Sequence, residues 1–125
     1  NIIKPGVNYG WPIIGYGINY NGEPLAVATS RPGMEQPIFY WDPSIAPSGM
    51  AFITSDNYGP ELKHHLLVGS LKFRYMVHLV LEGDRVVANE IVFPGIGRVR
   101  NIKQGPDGYI YVATEGDGII RILPE

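Results

Sequence analysis

Three cations have the types and spacing to do chemistry together. Arg98 and Arg100 lie two apart in "GIGRVRNIKQGPDGYIYVAT" (95–114), and Lys72 closes the run "LLVGSLK" (66–72). No Asp or Glu occurs between Glu90 and Asp107. If "RVRNIKQ" is a strand, residues i and i+2 share a face about 6–7 Å apart, so the two arginines point the same way. On an exposed face, two solvated guanidiniums need no further explanation. On a buried face they are too costly to leave unpaired and call for an anion. A carboxylate suits them, because the planar Arg fork bonds it bidentately. Lys72, expected to end a strand on the face it shares with Ser70, has the same two readings. It is either a snorkelling surface lysine or the third cation of an electropositive mouth for a small multi-anionic ligand.

The elements that must position these residues read as β throughout. "QPIFYW" (36–41), "MAFIT" (50–54), "HLLVGSLK" (65–72), "YMVHLVLEGD" (75–84) and "RVVANEIVF" (85–93) are expected as strands, and "VRNIKQG", "YIYVAT" and "IIRILP" follow. "EGDR", "GPDG" and "EGDG" supply the turns. Residues 1–37 are rich in Gly, Asn, Tyr and Pro and are expected as turns with one or two short strands. The single helix-like window, "GPELKHHLLVGSLKF", is broken by Gly69. A Pro-x-Gly element recurs at Pro47–Gly49 and Pro106–Gly108. A repeat of about 60 residues filled with short antiparallel strands suggests propeller blades. The turn rhythm fits a small sandwich about as well. Two to three blades cannot close a ring of about 4–8, so a propeller chain of this length needs a partner for the rest.

Bulk properties narrow the classes. The chain has 125 residues, 45% of them hydrophobic, and a net charge of −2, which suits one globular domain over 1–125 and argues against nucleic acid or an anionic membrane as a general partner. It has no cysteine, which excludes disulfides and thiolate metal sites and leaves the redox compartment open. No run approaches the ~18 apolar residues of a membrane span.

The runs "NYGWP" (8–12), "QPIFYWDPSIAPSGMAF" (36–52), "LLVGSLK" (66–72) and "RVRNIKQGPDGYIYV" (98–112), in that order, resemble the C-terminal part of the glucose/sorbosone dehydrogenase family. Its members are soluble aldose sugar dehydrogenases that use pyrroloquinoline quinone (PQQ). The resemblance spans essentially the whole chain. It implies an all-β fold, the C-terminal two to three blades of a six-bladed β-propeller, with the N-terminal blades supplied elsewhere. It implies oxidation of an aldose to a lactone, with electrons passed to an external acceptor, in a periplasmic or secreted setting. By the same resemblance, Lys72, Arg98 and Arg100 bind the cofactor carboxylates. Ser44 lies on the loop that approaches the quinone, Trp41 walls the pocket and Tyr20 contacts the cofactor. Tyr9 corresponds to a position that lends a backbone carbonyl to Ca²⁺ in some members, a ligand type this ion accepts.

The family's catalytic base is a His on an earlier blade, and no residue here matches its motif. The chain is therefore expected to hold no catalytic residue and to be inactive alone. His64 and His65 read as turn residues and His78 as a strand residue. The rival reading from another class is a non-catalytic propeller that serves as an interaction module.

Overall fold

The computed structural model describes residues 1–124. They divide into two compact units, Asn1–Ile45 and a second that begins at Ala46.

The first unit is irregular. Its β pairing is limited to two isolated bridges among the described residues, Ile14↔Ala28 and Ile18↔Pro24. "QPIFYW" (36–41), expected as a strand, is not one. Pro37 lies inside it and lacks a backbone donor, and Pro43 follows two residues beyond its end, so a ladder cannot run through the stretch. Aromatic contacts order the segment instead. Tyr40 stacks on Tyr16 at 3.8 Å between ring centroids. Phe39 meets Trp41 edge to face at 5.0 Å. Ile14 is buried and packs where Gly10 lacks a side chain: a Cβ on Gly10 would lie 2.0 Å from Ile14 Cγ1, and its φ of 94° also favours glycine.

The second unit holds seven strands among the described residues: β1 Pro47–Phe52, β2 Leu66–Ser70, β3 Met76–Glu82, β4 Arg85–Val92, β5 Arg98–Gln104, β6 Ile110–Glu115 and β7 Gly118–Ile122. They form two antiparallel meanders, β1-β2-β3-β4 and β5-β6-β7. The "GD" of "EGDR" turns β3 into β4, and the "GD" of "EGDG" turns β6 into β7, with Gly83 and Gly116 at positive φ. Among the described residues helix is limited to one 3-10 turn, Pro60–Leu62.

The core lies between the two sheets. Ile53, Leu67, Met76, Val99, Ile102, Ile110 and Val112 form one buried cluster. Along β6 the burial alternates, with Ile110, Val112 and Thr114 inward, which is the period-2 pattern of a strand with one buried face.

Two details differ from the sequence reading. Lys72 does not end a strand on a face shared with Ser70. β2 stops at Ser70, and Lys72 sits in the turn that follows. The Ser70 hydroxyl accepts the Phe73 N–H at 3.0 Å, which closes that turn and ends the strand. The Pro-x-Gly repeat is not a structural repeat. Pro47–Gly49 opens the edge strand β1, whereas Pro106–Gly108 lies in the β5–β6 turn. The two glycines answer different needs. A Cβ on Gly49 would lie 2.7 Å from Asn101 Cα, and Gly108 adopts φ 83°.

Candidate functional site

The arginine pair is built by the close approach of β2 and β5. A Cβ on Gly69 would lie 2.3 Å from Val99 Cγ1, so only glycine lets Val99 seat there. Ser48 fastens the junction: its hydroxyl donates to the Val99 carbonyl at 2.6 Å, with the Gly69 carbonyl at 3.3 Å. Val99 is fully buried, so its chain neighbours Arg98 and Arg100 face outward. The end of β2, the start of β3, the start of β5 and the end of β6 all lie at this one end of the two sheets, as the registers Gly69↔Met76 and Arg98↔Glu115 require. Lys72, Arg98 and Arg100 therefore share that end.

A β-bulge follows the pair. Val99 opposes Thr114 and Asn101 opposes Ala113, which leaves Arg100 as the extra residue. The extra residue resets the alternation, so Ile102 returns to the core while Arg100 and Asn101 are both exposed. The Asn101 side-chain oxygen accepts the Ile102 N–H at 2.9 Å, within the irregular stretch of ladder.

The two guanidiniums are paired. Arg100 Nη2 donates to Glu115 Oε2 at 2.6 Å, and Arg98 Nε lies 3.2 Å from the same oxygen. All three side chains are half exposed. Of the two faces open to the pair in the sequence, the structure takes the exposed one, so burial by itself demands no ligand. The partner comes from beyond the cation-only stretch, from the far strand of the same hairpin. The signal for Glu115 was in the sequence. Counting back from the "GPDG" turn places Glu115 within one residue of the position opposite Arg98.

What the arrangement can do follows from donor counting. Each guanidinium carries five N–H donors, and the Glu115 contact uses one nitrogen from each. The outer edges remain able to bond further oxygens. The pair already binds one carboxylate oxygen, so its geometry fits carboxylate ligands. Lys72 is held differently: its ammonium lies over the Phe73 ring, 5.0 Å from the centroid, a cation–π contact that leaves its N–H donors facing outward.

The other expected site residues lie in the first unit. Trp41 is half-buried against Phe39, Ser44 is exposed, and Tyr20 is fully exposed. Tyr9 is half-buried. Its hydroxyl accepts the Lys4 N–H at 2.6 Å and donates to the Ile2 carbonyl at 2.8 Å. Among the described residues no three His, Asp or Glu side chains gather as a metal site.

The histidines do not form part of this end. His64 is exposed in a turn at φ 68°. His65 Nδ1 and His78 Nε2 lie 2.7 Å apart, one ring donating and the other accepting. Burial, and then the neighbouring His65, hold the His78 imidazole below its ordinary value, against the opposing pull of Glu90. An open, mostly apolar cavity of about 390 Å³ borders His78 and Glu90 together with Tyr58, Leu62 and Phe93, and takes in none of the expected cofactor residues.

Comparison with known proteins gives a consistent picture. The family model described as Glucose / Sorbosone dehydrogenase matches residues 1–122. The aldose sugar dehydrogenase YliI of Escherichia coli K12 is 42% identical over 99% of this chain and 34% of its own length. A crystal structure of a glucose dehydrogenase superposes with a TM-score of 0.89 at 41% identity, over the whole of this chain and 37% of that one. The PQQ-bound aldose sugar dehydrogenase of Streptomyces coelicolor shares the fold, with a TM-score of 0.63 at 24% identity over 95% of this chain and 34% of that one. The chain spans about a third of the length of the relatives it matches. Its two antiparallel sheets match part of these propellers, as the sequence reading expected.

Proposed function

The chain belongs to the glucose/sorbosone dehydrogenase family, and from that premise we propose that it forms the part of a PQQ-dependent aldose dehydrogenase that holds the cofactor carboxylates. The observation that carries this reading is the convergence of Arg98 and Arg100 on a single carboxylate oxygen. The two guanidiniums already do to Glu115 what the cofactor would need done to it.

In this reading Lys72, Arg98 and Arg100 bind and orient the cofactor, and Tyr20, Trp41 and Ser44 are the further cofactor contacts that the family resemblance implies. PQQ supplies the two-electron oxidation of the sugar to its lactone, with the electrons leaving to an external acceptor. The cations neutralise carboxylate charge and hold a positive field at this end of the sheets, an electrostatic contribution from groups fixed in advance. The proton of the sugar hydroxyl goes to a base outside this chain, which places the catalytic histidine on another blade. A calcium ion belongs to the same proposal with the Tyr9 carbonyl as one ligand, and its other ligands come from outside this chain. The exposed Trp11 and Val27 suit burial against the remaining blades. A periplasmic or secreted location completes the reading and rests on the family resemblance alone.

The test is titration of PQQ with Ca²⁺ against the intact propeller, with absorbance reporting binding and dye reduction by an aldose reporting turnover. The expected result is saturable binding that collapses when Arg98→Ala and Arg100→Ala are combined. A well-folded parent that binds no PQQ would overturn the reading and favour an interaction module, for which two half-exposed arginines already satisfied by Glu115 are ordinary surface charges.

A further inference from the structure

The carboxylate that Arg98 and Arg100 hold is their own protein's. We propose that Glu115 is a resident counter-ion: it keeps the pair aligned while no ligand is bound and competes with an anionic ligand, which seats fully only as the Glu115 carboxylate is displaced. The inference rests on the reading of the pair as an anion site.

Four observations support it. Glu115 is the residue directly opposite Arg98 in the β5–β6 register, so its side chain leaves the same face of the sheet. One oxygen, Oε2, takes both arginines, at 2.6 Å and 3.2 Å, which sets two like charges side by side around a shared anion. The contact is half exposed, and exposed ion pairs are weak enough to exchange. Glu115 is also the last residue of β6 and precedes the tight Gly116–Asp117 turn, with Gly116 and Gly118 both at positive φ, so its side chain projects from the sheet end.

The consequence follows from charge. Arg98, Arg100 and Glu115 together carry a net single positive charge, and a ligand carboxylate on the same edge would sit against another carboxylate. A ligand bearing several carboxylates outcompetes one side chain, because it gains bonds from Arg98, Arg100 and Lys72 at once. Glu115 thereby sets a threshold: monocarboxylates gain little over the resident group and multi-anionic ligands gain much. Asp117 is the nearest other acid in sequence and its Oδ2 lies by Gly97, next to Arg98 in the chain, but among the described residues both arginine ion pairs are with Glu115, so Asp117 serves as the control for charge removed nearby without loss of the contact.

The experiment compares the intact parent protein with Glu115→Gln and Asp117→Asn, titrating each with PQQ and separately with benzene-1,3,5-tricarboxylate. Heat or absorbance reports affinity, and the carbon-13 resonance of the Glu115 carboxyl reports its release. Glu115→Gln keeps size and an acceptor oxygen but removes the charge. The expected result is binding about fivefold tighter for both ligands, no change in Asp117→Asn, and a shift of the parent's Glu115 carboxyl resonance as either ligand saturates. Unchanged or weaker binding by a folded Glu115→Gln protein overturns the proposal. If the plain tricarboxylate binds the variant more tightly while PQQ binds neither protein, the counter-ion stands and the quinone reading falls. If PQQ binds parent and variant alike, the quinone reading stands and the counter-ion falls. If neither ligand binds either protein, both fall.

Discussion

Val99 occupies the space a side chain on Gly69 would need: a Cβ there would fall 2.3 Å from Val99 Cγ1 and 2.9 Å from its Cβ. This contact seats β5 against β2, and the two residues flanking Val99 are the arginines. The glycine of "LVGSLK" and the arginines of "RVR" are thus one device. Gly69→Ala is expected to force the strands apart, costing about 1–3 kcal/mol of stability, as overpacking of a tight core does. Denaturant unfolding of the intact protein checks it. An unchanged midpoint would mean that the junction yields freely.

Arg100→Lys separates charge from geometry. Lys keeps the cation and loses the fork. PQQ affinity is expected to fall about tenfold, the order of one charged hydrogen bond, while the thermal midpoint stays within about 2 °C, because the pair with Glu115 is half exposed. Equal affinity of the Lys variant would reduce the site to point charges.

Tyr58 ties the loop after β1 to the second sheet. Its hydroxyl accepts the Ile110 N–H at 2.6 Å and donates to the Ile122 carbonyl at 2.9 Å. Burial is the main influence that pushes the phenol upward, so it stays neutral and can donate at any pH the protein meets. Tyr58→Phe keeps the ring and leaves both backbone groups short of a partner. A loss of about 1–3 kcal/mol in unfolding free energy is expected, read from urea midpoints.

The His65–His78 pair predicts a pH slope. Burial, then His65, lowers the His78 imidazole below its ordinary value, so the unfolded chain binds the extra proton more readily than the folded one. The folded state therefore keeps this contribution above the ordinary histidine range, and loses it as pH falls through that range toward the lower folded value. The urea midpoint should drop between pH 7.5 and pH 5, and His78→Gln should flatten that drop. A variant as steep as the parent would place the sensitivity elsewhere.

The second unit was largely legible from sequence because its pattern is local. Strand alternation in "YIYVAT" and the Gly-Asp turns between β3 and β4 and between β6 and β7 are decided by neighbours a few residues apart. The expected strand at 36–41 failed for a reason also written in the sequence, Pro37 within it and Pro43 just beyond it, which apolar content outweighed in the reading. The strand expected to run to Lys72 ends two residues earlier, because Ser70 stops β2 through a side-chain bond that composition does not reveal.

By itself the sequence determined the all-β class, the family, and the presence of a cation trio without a nearby acid. Side-chain type, spacing and turn chemistry are properties of the chain, readable before it folds. Only the tertiary structure decided that the arginines face solvent rather than the core, that a bulge at Arg100 returns Ile102 to the core, and that Glu115 supplies the missing acid. Those outcomes depend on which strands meet and in what register. Pairing across a hairpin brings together residues 15 apart, such as Arg100 and Glu115, and close approach of β2 and β5 sets which face of the strand is buried.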